Sequence, residues 1–148
     1  MLLAFGVDAD SAQLSGWGGA IEKGEDVFEA AARELREESL DLFTLTAQYV
    51  REHHYIRART QRTTCFFLQV PLRVMLRLPG AFHNRYRSQR CASEMSGVRL
   101  VFLRDLQSLI HASRDVLYEI DREMMCTAWN LLVQAQDTAL RQARVTAQ

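Results

Sequence analysis

The stretch that most constrains the fold of this 148-residue chain is EDVFEAAARELREES, residues 25–39, which contains neither Pro nor Gly. Ala, Leu, Glu and Arg dominate it, and these residue types favour helix. Val27, Ala31 and Leu35 recur at i, i+4 and i+8, which is the spacing of an apolar stripe on a helix. The sequence therefore predicts an amphipathic helix over Asp26–Ser39.

The second half of this helix carries an unusual density of charge. At about 100° per residue, Glu34, Glu37 and Glu38 share one face and repel one another unless something positive neutralises them. Arg33 and Arg36 do this in part. A divalent cation such as Mg²⁺, which takes oxygen ligands, would do it more fully. The alternative is a solvated, salt-bridged surface, which is the usual state of a charge-rich helix face.

The spacing of the whole segment favours a divalent-cation site over a solvated surface. The pattern G-x5-E-x7-R-E-L-x-E-E begins at Gly19, has its first glutamate at Glu25 and ends at Glu38. It resembles the signature of the Nudix hydrolases, and the match is complete between those ends. The chain departs from the family at three flanking positions: Leu40 stands where the family has glycine, Asp41 where it has an apolar residue, and Trp17 where it commonly has proline.

The resemblance implies a divalent metal site that cleaves a diphosphate, with Mg²⁺ or Mn²⁺ as cofactor. Arg33 matches the arginine that orients the carboxylates, and Glu25 the glutamate that steadies it. Glu94 resembles a further glutamate that many members supply from outside the signature, although a lone glutamate in a polar loop is commonly solvated. The metal ligands that the resemblance implies are Gly18, Gly19, Glu34, Glu37 and Glu38. It leaves open which glutamate is the general base.

Candidate substrate-binding residues lie outside the signature. Arg85, Tyr86 and Arg87 belong to AFHNRYRSQR, which we interpret as part of a polar loop over residues 82–93. Aromatic and arginine side chains of this kind stack bases and hold phosphates. His53 lies on a predicted strand and can contact a nucleotide from there. A solvated loop and a surface histidine are the alternatives.

Composition excludes several classes of function. The formal net charge is zero, so no long-range field draws the chain to DNA or to a membrane surface, and we expect neither partner. Lys23 is the single lysine, and the other 17 basic residues are arginines, which bind phosphate bidentately or simply reflect genome composition. Cys65, Cys91 and Cys126 have neither disulfide-framework nor zinc spacing. Together with the absence of a signal peptide, this favours a cytoplasmic protein.

The chain is expected to form one domain over residues 1–140 with a frayed tail over 141–148. The resemblance implies an α/β fold, a Nudix-type α/β/α sandwich with a mixed sheet. Only one strand fits before the signature, so we expect the first strand of that fold to be missing or supplied by a neighbouring chain, and a homodimer is compatible with this. The predicted strands cover 1–7, 45–59, 63–70 and 98–103. The predicted helices cover 26–39, 105–111 and, from a cap at Ser113, the segment up to about 139, with a turn at Pro79–Gly80.

Three hypotheses of function follow. The first is a metal-dependent pyrophosphohydrolase acting on a nucleoside diphosphate linked to another group. Its admissible substrates are nucleoside di- and triphosphates, nucleotide conjugates and a capped RNA end. The second is a non-catalytic binding module of the same fold for nucleotides or a protein partner. The third is an incomplete domain that folds only with another chain.

Overall fold

The structure, a computed structural model, describes residues 1–89, 94–111, 116–117 and 119–146. Five strands and five helices alternate irregularly within these ranges. In chain order they are β1 (Leu2–Asp8), β2 (Leu14–Ser15), α1 (Val27–Glu38), α2 (Ala47–His53), β3 (His54–Arg59), β4 (Thr64–Leu68), α3 (Leu72–Gln89), β5 (Met95–Phe102), α4 (Leu103–His111) and α5 (Glu119–Thr146).

The strands form two antiparallel sheets. One has the order β2-β1-β5, with Phe5 opposite Arg99, and the other is the hairpin β3-β4. A single isolated bridge between Leu14 and Leu117 is parallel. The expected α/β class is confirmed. The expected single mixed sheet is replaced, in the part of the chain described, by two sheets whose only parallel pairing is that bridge.

The main core fills the space between the two sheets and the two C-terminal helices. Strands β1, β3 and β5 and helices α4 and α5 all contribute to it. Its buried members include Phe5, Ile56, Ala58, Val101, Leu106, Met124 and Leu132. A second, smaller cluster of Leu40, Phe82 and Met95 lies where α1 ends against α3 and β5.

Helix α1 matches its prediction closely. Asp26 is the N-cap, and its side chain accepts hydrogen bonds from the backbone N–H groups of Phe28 at 2.7 Å and Glu29 at 3.0 Å. The Glu29 side chain reciprocates by accepting from the Asp26 backbone N–H at 2.7 Å, which completes a capping box. Ser39 caps the other end, so the predicted bounds of 26–39 are confirmed.

The predicted strand over residues 45–59 is wrong in its first half. Residues 47–53 form α2, and only 54–59 are extended. Thr46 starts the helix because its side chain accepts from the backbone N–H of Tyr49 at 3.1 Å. His53 therefore ends a helix and does not lie on a strand.

The predicted turn at Pro79–Gly80 and the predicted loop over 82–93 are also wrong, as far as Gln89. Both lie inside the 18-residue helix α3. Proline and glycine disfavour a helix interior, but here Leu78 and Phe82 are 4% and 0% exposed. Burial of that helical stripe outweighs the local preference. Residues 90–93 lie outside the described ranges.

The expectation of a single strand before the signature is wrong, because β1 and β2 both precede it. Most of the other element predictions are confirmed. Strands β1, β4 and β5 and helix α4 lie within a few residues of their predicted bounds. The predicted cap at Ser113 lies outside the described residues. Helix α5 continues to Thr146, and the division into a domain over 1–140 and a frayed tail stays a prediction.

Candidate active site

Arg33 is the centre of a charged network on α1. Its Nε donates to Glu25 Oε1 at 2.9 Å and its Nη2 to Glu25 Oε2 at 3.0 Å, a bidentate pair. Nη1 donates to Glu34 at 2.8 Å and to Glu37 at 3.3 Å, and Nη2 also donates to the Ala20 carbonyl at 2.9 Å. These hydrogen bonds hold the pKa of Arg33 above its ordinary value.

Glu25 reaches Arg33 because it precedes the helix. The chain turns at Gly24, whose φ of +92° suits glycine, and Glu25 lies in the loop before the N-cap. Its carboxylate also accepts from the Glu22 backbone N–H at 3.0 Å. The hydrogen bonds from Arg33 and then from Glu22 lower the pKa of Glu25. The loop between Ala20 and Glu25 is thereby tied to the middle of α1.

Gly19 is glycine because Glu34 packs against it. A Cβ built at this position would overlap the Glu34 carboxylate, far inside van der Waals contact. Any side chain here would push that carboxylate away. Glycine at position 19, the first of the signature, therefore leaves room for the carboxylate of Glu34, fifteen residues later in the chain.

Glu38 is the buried carboxylate of the site, with 6% exposure. Its Oε2 accepts from the backbone N–H of Gly18 at 2.7 Å. Burial raises the pKa of Glu38 to about 8, against this hydrogen bond, and the charges of Glu34, Glu94 and Asp121 raise it further. The charges of Glu34, Glu94 and Asp121 therefore all repel an ionised Glu38. Without a nearby positive charge, the ionised form of Glu38 is disfavoured.

Glu37 occupies the outer edge of the same face. Its side chain is 49% exposed and lies 3.3 Å from Arg33 and 3.7 Å from Arg36. Glu94 is exposed just before β5, and its backbone carbonyl accepts from the Ala9 N–H at 2.8 Å. The structure thus places Glu34, Glu38 and Glu94 in one region, with Glu37 at its rim.

The chain leaves α1 through two residues in the left-handed region. Leu40 has φ 55° and Asp41 has φ 59°. Leu40 stands at the glycine position of the signature, so the backbone shape is kept although the residue is not. Its side chain is buried against Phe82 and Met95, and Arg85 Nη1 donates to its carbonyl at 2.7 Å. These contacts offset the strain of a leucine at positive φ.

The predicted substrate-binding residues do not come together. Arg85 is engaged with the α1 exit, and Tyr86 stacks on Phe82 with ring centroids 6.3 Å apart. Arg87 is exposed on α3. His53 stacks on Tyr49 with ring centroids 4.3 Å apart, at the end of α2. A substrate-binding role for these residues stays a prediction.

Asp121 of α5 is a site residue that the sequence analysis missed. Its Oδ2 lies 3.2 Å from Ser15 Oγ, and the Gly16 backbone N–H also donates to the carboxylate. Burial raises the pKa of Asp121, and its charge acts on Glu38. A Cβ on Gly16 would meet Asp121 Oδ1 at 2.7 Å. Asp121 therefore holds the strand end that leads into the Gly18–Gly19 loop.

A signal for Asp121 was present in the sequence. Asp121, Met125, Ala128 and Leu132 follow the i, i+4, i+7, i+11 spacing of one helix face, and the last three are buried. An acidic residue in register with a buried stripe points inward and needs partners there.

The donor chemistry of the site fits a hard divalent cation. Among the residues described, no three His, Cys, Asp or Glu side chains are grouped to hold one ion. Mg²⁺ commonly uses one or two carboxylates and takes its other ligands from water and substrate phosphates. Glu34 and Glu38, beside the backbone of Gly18 and Gly19, match that requirement. The mutual repulsion of the carboxylates around Glu38 is a further reason for a cation there.

Comparison with known families gives one match. The family model described as the NUDIX domain matches residues 8–124, which include α1, its flanking loops, Glu94 and Asp121. No curated protein matches the chain. No helix among the described residues is long and apolar enough to cross a membrane.

Proposed function

This chain belongs to the NUDIX family, and we propose that it hydrolyses a nucleoside diphosphate linked to another group, with Mg²⁺ or Mn²⁺. Membership of this family supports hydrolysis of nucleoside diphosphate derivatives in general. The proposed substrates are nucleoside di- and triphosphates, nucleotide conjugates and capped RNA. The products would be two species that each end in a phosphate, with one water consumed.

The observation that carries this proposal is the environment of Glu38. A buried carboxylate that faces the charges of Glu34, Glu94 and Asp121 destabilises the protein in its ionised form. A module that only maintained a fold would gain from replacing it. A bound divalent cation would account for such an arrangement, since it would offset the repulsion and the desolvation together.

Each residue of the site has a proposed role. Glu34 and Glu38, with Glu37 at the rim and the backbone of Gly18 and Gly19, would hold the cation. A bound cation would neutralise the diphosphate oxygens and lower the pKa of a water molecule. One of the site carboxylates, Glu94 included, then accepts the proton as the water oxygen bonds to phosphorus and the anhydride P–O bond breaks.

Arg33 and Glu25 are positioning residues in this proposal. The bidentate pair fixes the guanidinium, and its remaining donors hold Glu34 and Glu37 in place. A carboxylate that is already oriented loses little conformational freedom when it binds a cation.

The experiment is a panel of nucleoside di- and triphosphates, dinucleoside polyphosphates, nucleotide sugars and capped RNA. Phosphate and nucleotide release would be measured with Mg²⁺ and with Mn²⁺. We expect turnover of at least one class, and a loss of roughly 100-fold or more in Glu38→Gln. Glu123→Gln is the matched control, because Glu123 is an exposed glutamate on the outer face of α5.

Two outcomes would contradict the proposal. Turnover that survives in Glu38→Gln would place the chemistry elsewhere. A folded wild-type protein that turns over no compound with either metal, but binds one of them, would favour the non-catalytic binding module.

A further inference from the structure

We propose that the outer face of the β3–β4 hairpin binds single-stranded RNA through a patch of arginines and aromatic rings. The patch consists of Phe28 of α1, Arg51 of α2, Arg57 of β3 and Phe66 of β4. This binding surface is separate from the carboxylates of the candidate active site, and it does not depend on hydrolysis.

Two rings form the floor of the patch. Phe28 and Phe66 lie with centroids 4.9 Å apart, and His54 packs edge-on against Phe66 at 5.4 Å. Arg51 lies over Phe28 at 4.8 Å from the ring centroid. Arg57 lies 5.6 Å from the Phe28 centroid and 5.5 Å from that of Phe66. Both guanidiniums are within cation–π range.

The two arginines differ in what their donors do. Arg51 Nη2 lies 2.6 Å from Asp26 Oδ2, so part of its charge is neutralised inside the protein. The Arg57 side chain makes no ion pair or hydrogen bond with any residue that the structure describes. A cation–π contact leaves the guanidinium without an anionic partner. Arg57 therefore lies against two rings with its donors available for an anion.

The hairpin continues this positive face. Ile56 and Ala58 are buried in the core, and Arg57 and Arg59 point to the opposite, exposed side. Residues 51–62 contain four arginines and one glutamate. The chain as a whole has a net charge of zero, so this surface concentrates positive charge that composition alone does not reveal.

Exposed aromatic rings lie on the same two elements as Arg57 and Arg51. Tyr55 is 47% exposed, and Tyr49, 41% exposed, stacks on His53. A polyanion without bases would need only the arginines, and a duplex hides its base faces. Single-stranded RNA presents phosphates for the guanidinium edges and unstacked bases for the rings. Charge and ring chemistry together therefore favour single-stranded RNA as the occupant.

The test measures the anisotropy of a fluorescent, mixed-sequence RNA of about 12 nucleotides with the full chain, without divalent metal. Titrations at about 50 mM and about 200 mM salt give the dependence of affinity on salt. We expect Arg57→Gln to weaken binding by about 5- to 10-fold at the lower salt, and to reduce the log–log salt slope by about 0.7. Arg57→Lys, which keeps the charge and loses the planar stack, should fall between wild type and Arg57→Gln.

Arg104→Gln is the matched control. Arg104 is also an exposed arginine stacked on a ring, 5.0 Å from the centroid of Phe102, but it stands alone beside Asp105 at 3.6 Å. We expect its RNA affinity to stay within about twofold of wild type. Glu38→Gln should also bind RNA like wild type, so a failure of hydrolysis and a failure of RNA binding are distinguishable.

Three outcomes would overturn the inference. The first is no binding at the lower salt. The second is an Arg57→Gln protein that binds like wild type or like Arg104→Gln. The third is equal affinity for duplex RNA of the same sequence, which would show that the patch reads charge alone, or for single-stranded DNA, which would show that it does not select RNA.

Discussion

Arg33 and Arg57 show two opposite ways of holding an arginine at the surface of one small protein. Arg33 is 19% exposed and gives its donors to Glu25, Glu34, Glu37 and a backbone carbonyl. Arg57 is exposed, faces two aromatic rings and has no carboxylate partner among the described residues. The donors of Arg33 are thus engaged inside the protein, whereas those of Arg57 are available to a ligand.

The difference teaches what each arginine can do. An arginine whose donors are engaged inside the protein can position other groups, and it has little left for a ligand. An arginine that lies against aromatic rings without an ion-pair partner can still bind an external phosphate. Arg33 is thus suited to arranging the carboxylates of a metal site, and Arg57 to binding an anion.

The largest expected effect concerns Glu38. Unlike Glu25, Glu34 and Glu37, it makes no ion pair with Arg33. Its pKa of about 8 lies above its ordinary 4.5, so the folded protein holds this proton more tightly than the unfolded chain. Without metal, the free energy of unfolding should therefore decrease as pH rises from about 4.5 to about 8, by about 2–4 kcal/mol. The same measurement on Glu38→Gln should show a smaller decrease, because Asp121, whose pKa burial also raises, is still present.

Denaturant unfolding of both proteins in chelator, at several pH values, measures the difference. Glu123→Gln serves again as the control and should follow wild type. Parallel curves for wild type and Glu38→Gln would show that Glu38 is not the buried carboxylate described above.

The next effect concerns Leu40, which follows α1. Its carbonyl accepts a hydrogen bond from Nη1 of a third arginine, Arg85. Leu40→Ala keeps the positive φ of 55° and loses the packing against Phe82 and Met95, so it should cost about 2–4 kcal/mol. Leu40→Gly loses the same packing but relieves the strain, and should be about 1 kcal/mol more stable than Leu40→Ala.

Thermal or denaturant unfolding of the two variants gives this order directly. At positions with negative φ, glycine is normally less stable than alanine. Finding glycine below alanine at position 40 would mean that the exit of α1 is not left-handed in solution.

Replacement of Arg33 tests its role as a positioning residue. Arg33→Gln should reduce hydrolysis by about 10- to 100-fold and raise the metal concentration needed for half-maximal rate, as loss of an outer partner of a metal ligand does. Its RNA affinity should match wild type. Arg36→Gln is the control, because Arg36 is 51% exposed with partners at 3.7 and 4.0 Å.

A decrease of the same size in Arg36→Gln would show a general effect of helix charge. A decrease in Arg33→Gln with unchanged metal dependence would remove the link between Arg33 and the carboxylates.

The smallest expected effect is that of Arg57 on stability. Arg57→Gln should lower the free energy of unfolding by less than about 1 kcal/mol, since cation–π contacts at exposed sites are weak. Denaturant unfolding at one pH is sufficient, with Arg104→Gln as the reference. A loss of several kcal/mol would show that Arg57 fastens α1 to the hairpin, and that its donors are not its main use.

Much of the candidate site could be predicted from the sequence, because it is local. The capping box of Asp26 and Glu29, the placing of three carboxylates on one face and the proximity of Glu25 to Arg33 depend on residues close together in the chain. The same holds for the contact between Gly19 and Glu34. The helix that contains Pro79 was missed because local preference opposed burial there, whereas α2 was missed although its cap at Thr46 is a local signal.

The rest of the site could not be predicted because it joins distant segments. Asp121 contacts Ser15 although the two residues are 106 positions apart in the chain. Arg85 contacts Leu40 from α3, a helix that contains Pro79. Phe28 and Arg57 approach each other only because α1 packs beside the hairpin. No periodicity within either segment indicates that contact.

The sequence by itself therefore determined the family, the α1 helix and the carboxylates that it carries, because a gapped signature and a helical period are both readable along the chain. Only the tertiary structure decided which carboxylate is buried, which arginine keeps free donors and where α5 meets the site. The physical reason is that burial and charge compensation are properties of the packed interior, where segments far apart in the chain exclude water from one another.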